Sequence, residues 1–119
     1  MILLDTNIFI YLANGTLAAE TISGTDIAHT SITKIEALGF PTIPANELLL
    51  LSSLFDESKT LNLSDLVVTQ AIKLRQAKMM TLGDAIIAAT AIEYNLELWT
   101  ANTDDFKHIE NLMVINPLH

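Results

Sequence analysis

Four acidic side chains stand beside apolar sequence at widely separated points of the chain. They are Asp5 in ILLDTNIFI, Glu36 in SITKIEALG, Asp84 in LGDAIIAATA and Asp105 in LWTANTDDF. A carboxylate among apolar residues is costly to bury alone and needs helix amides, a cation or a metal as partner. Several carboxylates in one pocket repel and shift one another's pKa. A divalent cation relieves that repulsion, and ligation by oxygen alone favours Mg²⁺ or Mn²⁺. Each acid by itself also fits a helix N-terminus. Thr33-Lys-Ile-Glu36 and Thr81-Leu-Gly-Asp84 read as capping boxes, with Asn102-Thr-Asp-Asp105 a looser version. Cysteine is absent, and the three histidines, His29, His108 and His119, fall outside these positions and read as incidental.

The elements that position these acids follow from hydrophobic spacing and stop signals. Residues 2–5 read as a strand, 6–14 as a helix closed by Gly15, and 16–22 as a second short helix. A strand at 25–30 leads into a helix over 31–40, ended by Gly39 and Pro41. A helix over 45–58 starts at an Asn46 cap and is too apolar around Leu48 to Leu51 for a simple surface helix. A strand at 61–63 precedes a helix from Ser64 to about Gln76. The segment 81–95 is a helix rich in small residues, 96–101 a strand, 103–109 a helical turn and 112–116 a last strand. Alternation of this kind predicts an α/β domain with a mostly parallel sheet. In such sheets the C-terminal strand ends and helix N-termini share one edge, where ligands bind. All four acids fall at that edge, so the topology can bring them together.

Bulk properties narrow the partners. A chain of 119 residues, half of them hydrophobic, is read as one domain spanning 1–119 with a real core. No stretch suits a bilayer span, the N-terminus lacks a basic leader region, and the lack of cysteine fits a reducing cytoplasm. The formal net charge of −8 argues against binding nucleic acid through a broad basic surface.

The segments LLDTN, SITKIEALG, LGDAIIAATA and LWTANTDDF, followed by NP, lie in one order along nearly the whole chain. In these the chain resembles the PIN-domain ribonucleases, in particular the VapC-type toxins of bacterial type II toxin–antitoxin pairs. The resemblance implies a three-layer α/β/α fold and Mg²⁺- or Mn²⁺-dependent hydrolysis of phosphodiesters in single-stranded RNA. It puts the catalytic and metal-binding acids at Asp5, Glu36, Asp84 and Asp105, with Asp104 as the register alternative for the last. Asp5 and Asp84 become the direct metal ligands, while Glu36 and Asp105 act through water or a second ion. Thr6, Asn7, Thr100 and Asn102 then orient carboxylates or contact phosphate. Lys73, Arg75 and Lys78 form one basic cluster before Asp84, with Lys34 near Glu36, either to hold RNA or as solvated surface. The implied partners are an RNA substrate, a cognate antitoxin and a second copy in a homodimer. The helix around ELLLLSSLF (47–55) is either buried core or such an interface. An Arg or Lys of the antitoxin entering the carboxylate pocket would displace the metal.

Other chemistries fit less well. A haloacid-dehalogenase-type phosphatase needs a second Asp two residues after the first, where this chain has Asn7. A phosphoryl receiver needs an adjacent acidic pair near the N-terminus and a late lysine. A PIN-like module that only binds or assembles would keep the fold and show no metal-dependent cleavage.

Overall fold

The computed structural model describes residues 1–118, so His119 lies outside the described residues. The elements run β1 (Ile2–Leu4), α1 (Thr6–Asn14), β2 (Ile27–Thr30), α2 (Ser31–Leu38), α3 (Ala45–Glu57), β3 (Lys59–Leu61), α4 (Asp65–Ala77), α5 (Leu82–Tyr94), β4 (Glu97–Trp99) and β5 (Val114–Ile115). Short 3₁₀ turns occupy Ala19–Ile22 and Thr103–Asp105. The five strands form one sheet in the order β3-β2-β1-β4-β5, and every pairing is parallel. The parallel sheet is the one expected from the alternating pattern, and the α/β/α layering is the one the family resemblance implied.

Strand alternation divides the core into two layers. Ile2, Leu4 and Ile27 face one way and pack with Ile8 and Phe9 of α1 and Leu51 and Phe55 of α3. Leu3 and Ala28 face the other way, against Val67 and Ala71 of α4 and Ala85, Ala88 and Ala89 of α5. The alanines let α5 approach the sheet and α4 closely. The chain moves outward from β1 through β2 to β3, then returns to the other side of β1 as β4. The strand order therefore reverses between β1 and β4, the place where α/β sheets bind ligands.

Several boundaries differ from the sequence expectation. The third strand covers 59–61 rather than 61–63, because Lys59, Thr60 and Leu61 pair with Ala28, His29 and Thr30. His29 fixes that register: its Nδ1 lies 2.7 Å from Ser58 Oγ and its Nε2 3.0 Å from Thr60 Oγ1. The ring also meets Phe9 and Phe55 edge-on. His29 is therefore a hydrogen-bonded core residue. Helix α3 starts at Ala45 as expected, but directly after Pro44 and without a side-chain cap, so Asn46 does not cap it. Nor is α3 buried throughout: Leu51 and Phe55 are buried, whereas Leu48, Leu49 and Leu50 are exposed.

Candidate active site at the strand ends

Asp5 follows β1 and caps α1, its Oδ1 accepting a 2.7 Å hydrogen bond from the Thr6 amide. Its Oδ2 accepts from Thr100 Oγ1 at 2.8 Å and from Asn7 Nδ2 at 3.3 Å. Thr100 Oγ1 in turn accepts from the Asn102 amide at 3.0 Å, and Asn7 Oδ1 accepts from the Ala101 amide at 3.1 Å. The segments after β1 and β4, ninety-five residues apart at Asp5 and Thr100, are thus interlocked. Asp5 is 5 % exposed, and these bonds meet its hydrogen-bonding needs without a metal. Burial of Asp5 alone therefore does not demand a cation. The demand comes from its neighbours.

A cleft of about 370 Å³ opens beside Asp5 and is lined also by Thr6, Asn7, Glu36, Asp84 and Asn102. A second cavity, about 300 Å³, is lined by Lys78, Thr81, Asp84, Asp104, Asp105 and His108. Thr81 and Asp84 border both. A larger hollow of about 590 Å³ lies by Leu96, Glu97 and Asn111, and none of the predicted site residues lines it.

Electrostatics tie the four acids together. Burial pushes the Asp84 carboxyl up to about 6, and the negative charges of Asp5, Asp105 and Glu36 add to that, against a Thr81 hydrogen bond that lowers it. Asp5 is also raised, first by burial and further by Glu36, while bonds from Thr100, Thr6 and Asn7 pull it down. Among the described residues the only ion pair is Lys107–Asp104, at 3.4 Å, so no base neutralises these four acids. Asp104 and Asp105 are both exposed and both line the second cavity; Asp104 pairs with Lys107, and it is the charge of Asp105 that raises Asp84.

The local structure revises the capping readings. Thr30 rather than Thr33 caps α2, so Glu36 lies inside that helix and is not part of its cap. Thr81 does cap α5, accepting from the Asp84 amide at 3.1 Å. Asn102 makes no side-chain cap, and its turn closes through the backbone, Asp105 N donating to Asn102 O. The bases do not form one cluster. Lys73 and Arg75 are two residues apart on α4, roughly 200° around it, and only Lys78 of the three lines the acidic cavity. Lys34, on α2, lines a different hollow with Ser31, Ile35 and Thr60. His108, set aside on sequence, lines the cavity by Asp105, and both its ring nitrogens are buried without partners. Thr30 and Thr33 were not foreseen either; Thr33 contacts Thr6, which contacts Glu36.

The donor set fits a hard divalent cation in chemistry but not as a closed cage. All donors are oxygens and the charge is uncompensated. Among the described residues, no three acids or histidines are gathered closely enough to hold a metal as they stand. A cation that keeps part of its water shell and takes only one or two carboxylates directly suits such spacing, which is the habit of Mg²⁺.

The PIN domain profile matches residues 2–112. The chain belongs to the PIN domain family. Members of this family are generally nucleases and generally use divalent metal ions. By structure this PIN domain is similar to a chain of a toxin–antitoxin complex from Klebsiella pneumoniae, at 29 % identity and a TM-score of 0.79, with 98 % of each chain covered. It is also similar to a chain of VapBC2 from Rickettsia felis bound to a promoter DNA fragment, at 25 % identity and a TM-score of 0.81, again over 98 % of each chain. VapBC-1 from nontypeable Haemophilus influenzae shares the fold over 100 % of both chains, at 22 % identity and a TM-score of 0.80. No curated protein matches the sequence. No helix among the described residues is long and apolar enough to cross a membrane.

Proposed function

We propose that this PIN domain, acting as one unit over 1–119, is the VapC-type toxin of a toxin–antitoxin pair. In this reading it is a cytoplasmic endoribonuclease that hydrolyses single-stranded RNA with Mg²⁺ or Mn²⁺. The observation that carries it is the charge balance at the strand ends. Four acids, Asp5, Glu36, Asp84 and Asp105, act on one another there, and Asp84 is pushed up to about 6 with no base to offset it. A site built that way is suited to a cation.

Asp5 and Asp84 would hold the ion directly, and Glu36 and Asp105 through water. When bound, the cation lowers the pKa of a water and offsets negative charge on the phosphate. Asp5 Oδ2 is occupied by Thr100 and Asn7, so Oδ1, with one donor, keeps a lone pair for the ion. Glu36 is exposed beside the cleft, held through Oε1 by Thr6 at 3.0 Å, which leaves Oε2 to take a proton from the attacking water. Lys78, at the second cavity, is placed to meet an adjacent phosphate.

The partners follow from the toxin–antitoxin relatives and from the exposed apolar surface. An apolar groove between α1, α2 and α3, bordered by Ile10, Ala37, Phe40 and Leu51, lies beside exposed Leu49 and Leu50. An antitoxin segment and a second copy of the chain are the proposed occupants of this side of the molecule. The reading is tested with labelled single-stranded RNA, its all-deoxy counterpart and an RNA duplex, each with Mn²⁺ or with EDTA. It predicts metal-dependent cleavage of the single-stranded RNA alone. Cleavage of the DNA instead, or none of the three, would contradict it.

A further inference from the structure

A line of hydroxyls runs from the end of β2 to the cleft. The Thr33 amide donates to Thr30 Oγ1 at 3.2 Å, and the two hydroxyl oxygens are 3.2 Å apart. Thr33 Oγ1 lies 3.2 Å from Thr6 Oγ1, which lies 3.0 Å from Glu36 Oε1. Thr30 and Thr33 are fully buried, with 1 % and 0 % exposure, so water cannot replace the contact between them, while Thr6 and Glu36 border the open cleft.

Each hydroxyl has one proton, which fixes the direction of the chain. The Glu36 carboxylate can only accept, so Thr6 gives it its proton. Thr33 must then donate to Thr6, and Thr30 must donate to Thr33. The Thr30 oxygen is already accepting from the Thr33 amide, consistent with its own proton pointing onward. All three protons point toward Glu36.

We propose that Thr33 is a positioning residue: its buried hydroxyl holds Thr6 in the one rotamer that donates to Glu36, and so aims Glu36 into the cleft. This rests on the nuclease reading above for its effect on the reaction, though not for its effect on Thr6. No other polar side chain contacts the Thr6 hydroxyl among the described residues. Without Thr33, the rotamer of Thr6 is selected by Glu36 alone, whose side chain is exposed and free to swing.

The test compares the whole chain with Thr33→Val, which removes the hydroxyl at nearly constant shape, and Thr33→Ser, which keeps it. Circular dichroism confirms folding. The χ1 scalar couplings of Thr6, measured by NMR without metal or RNA, are expected to report one rotamer in wild type and Thr33→Ser. In Thr33→Val they should report an average. A single Thr6 rotamer in Thr33→Val overturns the proposal whether or not the protein cleaves RNA. If Thr33→Val does not fold, Thr33→Ala takes its place in the same comparison.

In Mn²⁺-dependent cleavage, Thr33→Val is expected to lower kcat roughly five- to tenfold with KM changed less than about twofold, and Thr33→Ser to restore most of it. In a Glu36→Gln background the Thr33→Val loss should vanish, because the group it positions is gone. Persistence of the full loss in that background would mark a structural effect and overturn the positioning role. Absence of cleavage in every protein would remove the nuclease reading and the catalytic role with it, leaving the couplings to decide the Thr6 contact.

Discussion

Metal binding should weaken steeply on mild acidification, and the structure says by how much. Burial and three neighbouring carboxylates push Asp84 up to about 6 without a cation, so a metal must displace its proton below that pH. With a pKa near 6, Asp84 is about nine-tenths ionised at pH 7 and about one-tenth at pH 5. Mn²⁺ affinity should therefore fall about tenfold from pH 7 to pH 5, with release of about one proton per ion at the lower pH. Asp5 is also raised, mainly by burial, so its proton works in the same direction. The assay is titration calorimetry of the metal-free protein at both pH values, in two buffers of different ionisation enthalpy. Asp84→Asn is the control: it should bind more weakly at pH 7 and show a flatter pH dependence. An affinity that stays constant between pH 7 and pH 5, or binding with no proton release, would refute the assignment of Asp84 to the ion.

Three further outcomes follow from single contacts. Thr100 is fully buried and donates to buried Asp5. Thr100→Val should lower stability by about 1–3 kcal/mol in urea unfolding at pH 7; an unchanged midpoint would mean Asp5 finds another donor. His29 and Asp84 should act on stability with opposite sign. His29 is lowered from 6.5 to about 4 by burial, so its contribution is full above pH 6.5 and is lost as pH falls toward 4. Asp84 is raised from 3.8 to about 6, so its contribution is full below pH 3.8 and is lost as pH rises through 6. Metal-free Asp84→Asn should thus lose stability more steeply than wild type between pH 6.5 and 4.5, and His29→Leu less steeply. Unfolding curves with identical pH slopes would contradict both shifts. Finally, Leu50 is half exposed on α3. If a second copy covers it, Leu50→Asp should lower the apparent mass in sizing chromatography with folding intact, and an unchanged mass would place the dimer contact elsewhere.

Much of this arrangement was legible in the residues, for identifiable reasons. The helix from Thr6 to Asn14 is bounded by a capping Asp5 and by Gly15 in the left-handed region, signals that act locally. Ser64 and Thr81 announce α4 and α5 in the same way. The convergence of Asp5, Glu36 and Asp84 on one cleft followed from parallel-sheet topology. What stayed hidden depends on contacts between distant segments. The hydroxyl of Thr33 points at Thr6 only because α2 and α1 pack side by side, and spacing within SITKIE suggested a cap instead. The place of His108 depends on the path of the chain after the 103–105 turn. The basic residues misled because nearness in sequence on α4 is not nearness in space. The apolar run of α3 showed its composition but not which side was covered.

The central claim is that the carboxylates at the strand ends hold the cation on which cleavage depends. The most direct measurement is Mn²⁺-dependent cleavage of labelled single-stranded RNA by wild type, Asp5→Asn and Asp84→Asn, with folding checked by circular dichroism. The account predicts cleavage by wild type that EDTA abolishes, and a loss of at least about a hundredfold in both variants. Equal cleavage by all three proteins, or cleavage that persists in EDTA, would contradict it and return these acids to the role of helix caps and hydrogen-bonded core groups.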